Sequence, residues 1–393
     1  MQILNYVQKF IEKWSPVFLV MAYIVHVRQI NGIQLNNPGY ELSTYLLNYS
    51  DGFGSRLLVG SLMQFFFDGK VSYERIMEWN EVIMLLNSLL TITFMTMVSN
   101  TFKEKKYKIL CYVFMVMFFF LPSTTIYIGA YIGRLDLYLL FTGLLCVFIL
   151  NQKKGGILCY VFTVILCAAG ILIHQGFLFT YFVPVFISLM WRILREDCSK
   201  KSVIKTVLVL LPLVVLFFYL QLFSHLKYTS LEETMAVCAT RTEDDFSELM
   251  LKQEYFMSLK ELMIDLGFSH FSNAFVDIIH TLLSLFPLWI VLGAFWILVF
   301  RFTKDKRRKI VYVFMQLCFL IYVPLFMFMI DYGRWYTALE ISAMANLWIA
   351  IYNRDEAVEK ALDKLYNFFS RYPGLVCLGI AYLLQMEYHN IGF

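Results

Sequence analysis

Residues 328–336 read FMIDYGRWY. They close an apolar run that begins at Ile310 and open another that continues to Tyr352, with Asp331 and Arg334 in the tight turn between. About 20 mainly apolar residues are enough to cross a bilayer core. Two such runs joined by a few charged and glycine-bearing residues form a membrane hairpin, and its turn sits at the membrane surface.

The rest of the chain repeats this pattern. Of its 393 residues, 60% are hydrophobic and 16% charged, and the mean hydropathy is +0.65. Soluble domains run near 45–50% apolar and about 25% charged, so the composition is that of an integral membrane protein. No polar stretch is long enough for a separate domain, and 1–393 reads as a single membrane domain. The eight cysteines form no C-x-x-C pair, which points away from a disulfide framework or a zinc site. The N-terminus has no basic segment followed by a small-residue cleavage site, so its first apolar run reads as a retained helix.

Apolar runs predict an all-α, polytopic fold with about eleven transmembrane helices, at 15–31, 80–99, 108–128, 135–151, 157–174, 177–194, 203–223, 276–301, 310–331, 335–352 and 373–388. The run Arg56 to Phe67 is too short to cross and reads as a re-entrant or interfacial helix. It falls inside the first outer loop, 32–79. Most of the 33 basic residues fall in one set of loops, including KEKKYK at 103–108 and RFTKDKRRK at 301–309. The positive-inside rule makes that set cytoplasmic. The N-terminus is then cytoplasmic and the C-terminus extracytoplasmic. Residues 224–275 form the largest outer loop, and the 353–372 segment reads as a cytoplasmic amphipathic piece lying on the membrane face.

Four turns bring ionisable groups to the same outer depth. SDGFGSR supplies Asp51 and Arg56, YIGRLD supplies Arg134 and Asp136, IHQGF supplies His174 and Gln175, and DYGR supplies Asp331 and Arg334. Any one of these at a helix end is ordinarily an interfacial anchor. All four on one face argue for a polar outward-facing site, because charge near hydrocarbon is costly and usually lines a cavity. Arg134 and Asp136 are two apart and point to different partners, which makes pairing between turns the natural expectation.

Glycosyl transfer from a polyprenyl-linked sugar needs such a site. The lipid tail stays in the bilayer while the head group sits at the surface. Arginine clamps the phosphate leaving group with two donors at once, a role that fits Arg56, Arg134 and Arg334. A carboxylate or imidazole takes the acceptor proton, a role that fits Asp51, Asp331 and His174, with Asp136 and Gln175 in support. No metal or other cofactor is required, although Asp51, Asp136 and Asp331 would offer oxygen ligands to one. There is no Gly-rich nucleotide loop, no H-E-x-x-H and no basic stripe, so nucleic acid is not an expected partner.

In layout, this chain resembles the bacterial surface-polysaccharide polymerases of the Wzy type: about 400 residues rich in Phe, Tyr, Leu and Ile, around eleven spans, one long outer loop in the second half and outward-facing Arg and Asp. Asp51 also resembles the acidic first-loop residue of GT-C membrane glycosyltransferases. The resemblance implies an enzyme of the bacterial cytoplasmic membrane acting on undecaprenyl-linked glycan donor and acceptor in capsule or O-antigen assembly. It also implies membrane lipid around it and polysaccharide-export or chain-length proteins as partners. Three alternatives stay open: a single-sugar transferase, a transporter or flippase of lipid-linked glycans, and a membrane acyltransferase built around His174.

Overall fold

Prolines, glycines and charged turns fix where the helices stop. A computed structural model describes residues 38–121, 127–153, 155–258, 285–328 and 332–384, with a few isolated positions besides. The expected 15–31 span lies almost wholly outside the described residues, as do Asp331 and the start of the 276–301 span.

Seen in chain order, the first outer segment holds α1 (Pro38–Leu46) and α2 (Leu57–Phe66), followed by the long α3 (Tyr73–Asn100). Ser72 caps α3 by accepting from the N–H of Arg75, as a helix start requires. Next come α4 (Lys105–Phe120), the single turn α5 (Tyr127–Ala130), α6 (Asp136–Leu150), α7 (Ile157–Ile173), α8 (Phe182–Arg195) and α9 (Lys200–Phe223). The polar 224–258 segment carries α10 (Leu231–Arg241) and α11 (Glu248–Tyr255). The last third contains α12 (Phe286–Phe302), α13 (Lys306–Leu317), α14 (Tyr322–Phe328), α15 (Tyr332–Asn353), α16 (Glu356–Arg371) and α17 (Pro373–Leu384). Among the described residues the strands are two short ones, β1 (Gly52–Phe53) and β2 (His225–Leu226), paired antiparallel.

The fold is all-α, and among the described residues three helical stretches are long and apolar enough to cross a membrane: Tyr73–Asn100, Lys200–Phe223 and Lys306–Phe326. The described helices therefore do not clearly make up the expected count of about eleven spans. Helices α6, α7, α8 and α12 have 15, 17, 14 and 17 residues. At 1.5 Å per residue they reach about 21–26 Å, short of a hydrocarbon core of roughly 30 Å. Several apolar runs are interrupted where the backbone, not the polarity, breaks the helix. The 108–128 run ends at Phe120, because Leu121 is extended (φ −66°, ψ 128°) ahead of Pro122, which disfavours helix in the residue before it. The 177–194 run starts five residues late, after a 3-10 turn at Gln175–Phe179. The 310–331 run begins earlier, at Lys306, and passes through a 3-10 turn at Cys318–Ile321.

Large apolar side chains stand exposed on α7 (Ile157, Leu158, Val161, Phe162, Ile165), α9 (Val207, Leu211, Val214, Phe218) and α12 (Ile290, Ile297). Apolar faces of this extent on helices of this length are surfaces for lipid, and the chain is a membrane protein. The interior is built around α8, whose residues from Val183 to Leu194 are almost all buried, Trp191 and Arg192 included. Arg192 donates from Nε to the carbonyl of Leu150 at 2.7 Å and from Nη1 to that of Gly155 at 3.0 Å. It thereby caps the last turn of α6, whose carbonyls otherwise lack partners. In lipid, helices associate through close packing and small residues more than through the hydrophobic effect. Gly143 shows the point: a Cβ there would come within 2.7 Å of the Tyr181 carbonyl. At the far end, Asp355 caps α16 by accepting from the N–H groups of Ala357 and Val358. The amphipathic 356–371 segment is thus a helix, and its apolar side (Val358, Ala361, Leu362, Leu365) is buried.

Candidate active site

Asp51 is 1% exposed and fully committed. Its Oδ2 lies 2.5 Å from Arg241 Nη1 and its Oδ1 2.7 Å from Nη2, while Tyr228 donates its hydroxyl to Oδ1 at 2.7 Å and the N–H of Asn48 donates to Oδ2 at 2.8 Å. Burial alone would raise the carboxyl's pKa, but the donors from Arg241, Tyr228 and Asn48 outweigh it and hold the group below the usual carboxylate range. The same contacts tie the 224–258 loop onto the first outer loop. Lys227 N–H donates to Asp51 O at 2.8 Å, Val71 N–H to Arg241 O at 2.8 Å, and Tyr73 N–H to Asp244 Oδ2 at 2.8 Å. Farther along, Ser247 N–H donates to Ser43 Oγ at 2.8 Å and Gly39 O at 3.0 Å.

Arg56 begins α2 in a left-handed conformation, φ 73°, uncommon for a residue with a Cβ. Its N–H is held by the carbonyl of Leu172 at 2.8 Å. From there its guanidinium reaches Glu254 Oε1 at 2.5 Å and His174 Nε2 at 2.7 Å. His174 ends α7 and caps the following 3-10 turn, with Nδ1 accepting from Gly176 N–H at 2.8 Å. Gln175, next in the chain, accepts a hydrogen bond from Gln221 of α9.

Arg334, in the first turn of α15, pairs with Asp136 at the start of α6 (Nε to Oδ2, 2.9 Å). The pair joins two of the four turns. Arg134 lies over the Tyr131 ring, 4.2 Å from its centroid. Both arginines, Asp136, Tyr181 and Thr337 line a cavity of about 10 Å³, room for about one water and far too small for a sugar.

The structure therefore forms two pairs, Arg56 with His174 and Arg334 with Asp136, with Arg134 at the cavity of the second pair and Gln175 next to His174 in the chain. It turns Asp51 toward the loop clamp, and Asp331 lies outside the described residues. Among the described residues no three His, Cys, Asp or Glu side chains gather to hold a metal ion. Three participants went unread in the sequence. Arg241 and Glu254 sit in a polar loop where charge is ordinary, and only the fold reveals their partners. Glu41, 2% exposed, packs its carboxylate against Gly133 beside Arg134; an acid in the apolar-spaced α1 was the available signal. At the opposite end a roomier cavity, about 440 Å³, is lined by Thr101, Lys103, Arg354, Glu359 and Asp363. Its charges are mixed, and Arg354 is held by Thr101 and Glu359. Compared with protein-family models, curated proteins and solved structures, the chain finds no match.

Proposed function

We propose that this protein is an enzyme of a bacterial cytoplasmic membrane that transfers glycans from polyprenyl-(di)phosphate donors at the outer face, joining surface-polysaccharide repeat units. On this reading the sequence's eleven apolar runs all cross or enter the bilayer, with the N-terminus inside and the C-terminus outside. The observation that carries the reading is that Arg56 meets His174, and Arg334 pairs with Asp136 at the cavity Arg134 also lines, all at or beside helix ends, with Glu254 of the 224–258 loop reaching Arg56.

A donor whose tail stays in lipid needs its phosphate met by fixed positive charge near the membrane surface, and Arg56, Arg134 and Arg334 at these helix ends would supply it. The acceptor hydroxyl attacks the anomeric carbon as the bond from that carbon to the phosphate oxygen breaks. The electron pair leaves with the (di)phosphate, and Arg56, Arg134 and Arg334 neutralise it. The hydroxyl proton passes to a carboxylate. Asp51 has its lone pairs engaged by Arg241, Tyr228 and Asn48, so the base is Asp331, three residues before Arg334 in sequence. The 224–258 loop covers the site and selects the glycan.

The test is a gel of surface polysaccharide and lipid-linked intermediates from cells with and without the gene. A single complete repeat unit on its carrier, with the long ladder lost, identifies the polymerase. A shortened unit identifies a single-sugar transferase, and unchanged glycans exclude glycosyl transfer.

A further inference from the structure

Arg56 and His174 meet in a way that neither satisfies alone. A neutral imidazole has one N–H and one lone pair, and a guanidinium has donors only. The lone pair of His174 is engaged at Nδ1 by Gly176 N–H, 2.8 Å away. That bond spans two residues and closes the turn starting the Gln175–Phe179 helix, so it is fixed by the backbone. The ring proton then belongs on Nε2, which faces Arg56 Nη2 at 2.7 Å, donor toward donor. Arg56 is meanwhile held on its other nitrogen by Glu254, at 2.5 Å, with both side chains less than a fifth exposed.

We infer that Nε2–H of His174 and the guanidinium of Arg56 form an oxyanion subsite, that its ligand is a diphosphate ester, and that the Glu254 carboxylate is the resident anion this ligand displaces. A ligand oxygen that parts Nε2–H and Nη2, now 2.7 Å apart, would accept from both and remove the donor conflict. Glu254 lies on the last turn of α11, whose start is held through Ser247 to Ser43 and Gly39 while the Arg241–Asp51 clamp holds the preceding helix, so the Glu254 side chain is the part that must move aside. His174 is then an anion ligand and not the base. The assignment of a diphosphate rests on the function proposed above.

The experiment is calorimetric titration of the whole protein, in phosphatidylcholine nanodiscs, with inorganic pyrophosphate. Glu254→Gln, close in shape to the native side chain, should bind roughly tenfold tighter, since a competing charge-assisted contact is gone. Arg56→Gln and His174→Phe should each bind at least roughly tenfold weaker. Thermal unfolding of each variant reports folding, and Glu254→Gln carries the decision because it leaves both donors in place. Equal affinity in Glu254→Gln, or retained affinity in Arg56→Gln, overturns the inference. A repeat in discs containing phosphatidylglycerol separates the phosphate sources: unchanged pyrophosphate binding supports a diphosphate site, and its loss makes this a bulk-lipid headgroup site and overturns the assignment. The two readings also fail separately. A polysaccharide ladder that needs this gene, together with variants that do not alter pyrophosphate affinity, sinks the subsite alone. The expected affinities with unchanged glycans on deletion sink glycosyl transfer and leave the anion site standing.

Discussion

Asp51 and Arg241 meet in a two-pronged ion pair, Oδ2 to Nη1 at 2.5 Å and Oδ1 to Nη2 at 2.7 Å, from positions 190 residues apart. With Tyr228 and the β1–β2 pairing, this contact makes one layer of two loops.

Asp51→Asn removes the charge that Arg241 faces and leaves a largely buried guanidinium without its counter-ion. Breaking one partner of such a pair costs about 3 kcal/mol or more. Thermal unfolding in detergent should show the loss, and the double variant Asp51→Leu with Arg241→Met should recover much of it. A double variant as unstable as Asp51→Asn would mean that the pair is not what holds the loops.

The same carboxyl makes stability depend on pH in one direction. Its folded pKa lies below the ordinary carboxylate value because the Arg241, Tyr228 and Asn48 donors outweigh the opposing effect of burial. The stabilisation is therefore complete above the unfolded value, near 4, and declines as pH falls through the lower folded value. Melting temperatures taken from pH 7 to pH 3 should fall more steeply below about pH 4 in the native protein than in Asp51→Asn. Parallel curves would exclude Asp51 as the source.

Gly60→Ala should fail to fold, or lose more than about 3 kcal/mol. A Cβ at Gly60 would lie 1.9 Å from the carbonyl of Leu47 and 2.9 Å from that of Tyr45, and backbone cannot move aside as a side chain does. The readout is the monodisperse fraction on size exclusion, with Gly69→Ala as the contrasting control at an uncrowded, left-handed glycine.

For the proposed chemistry, Arg334→Gln and Arg134→Lys should each lower polymer formation by roughly 10²-fold at equal membrane level. Asp136→Asn should act mainly through Arg334, so the double variant with Arg334→Gln should be little worse than Arg334→Gln alone. Full-length polymer from both arginine variants would remove them from the site.

Much of the helical architecture was legible in the sequence because lipid enforces it. The 136–150, 157–173 and 332–353 helices lie within three residues of their apolar runs, since only a helix satisfies the backbone in hydrocarbon. Helix termination was less legible. Leu121 ahead of Pro122 and the 3-10 turn after His174 shorten helices whose apolar runs continue through them, and hydropathy does not register a break in backbone geometry. The charged turns could be found from polarity at apolar boundaries, and so could pairing between them, as Arg334 with Asp136. The clamp could not be found that way, because Arg241 and Glu254 look like any charge in a polar loop until the fold delivers Asp51 and Arg56 to them.

The separation of Asp51 from Arg241 also sets an order of events during synthesis. When the first outer loop leaves the ribosome, the residue that neutralises its buried carboxylate does not yet exist as peptide. Until the later loop is made and brought to the same side, β1 has an open edge and Asp51 has only its neighbours. Closure of this two-loop layer consequently comes late in synthesis, since Asp51 has no counter-ion until Arg241 has been made.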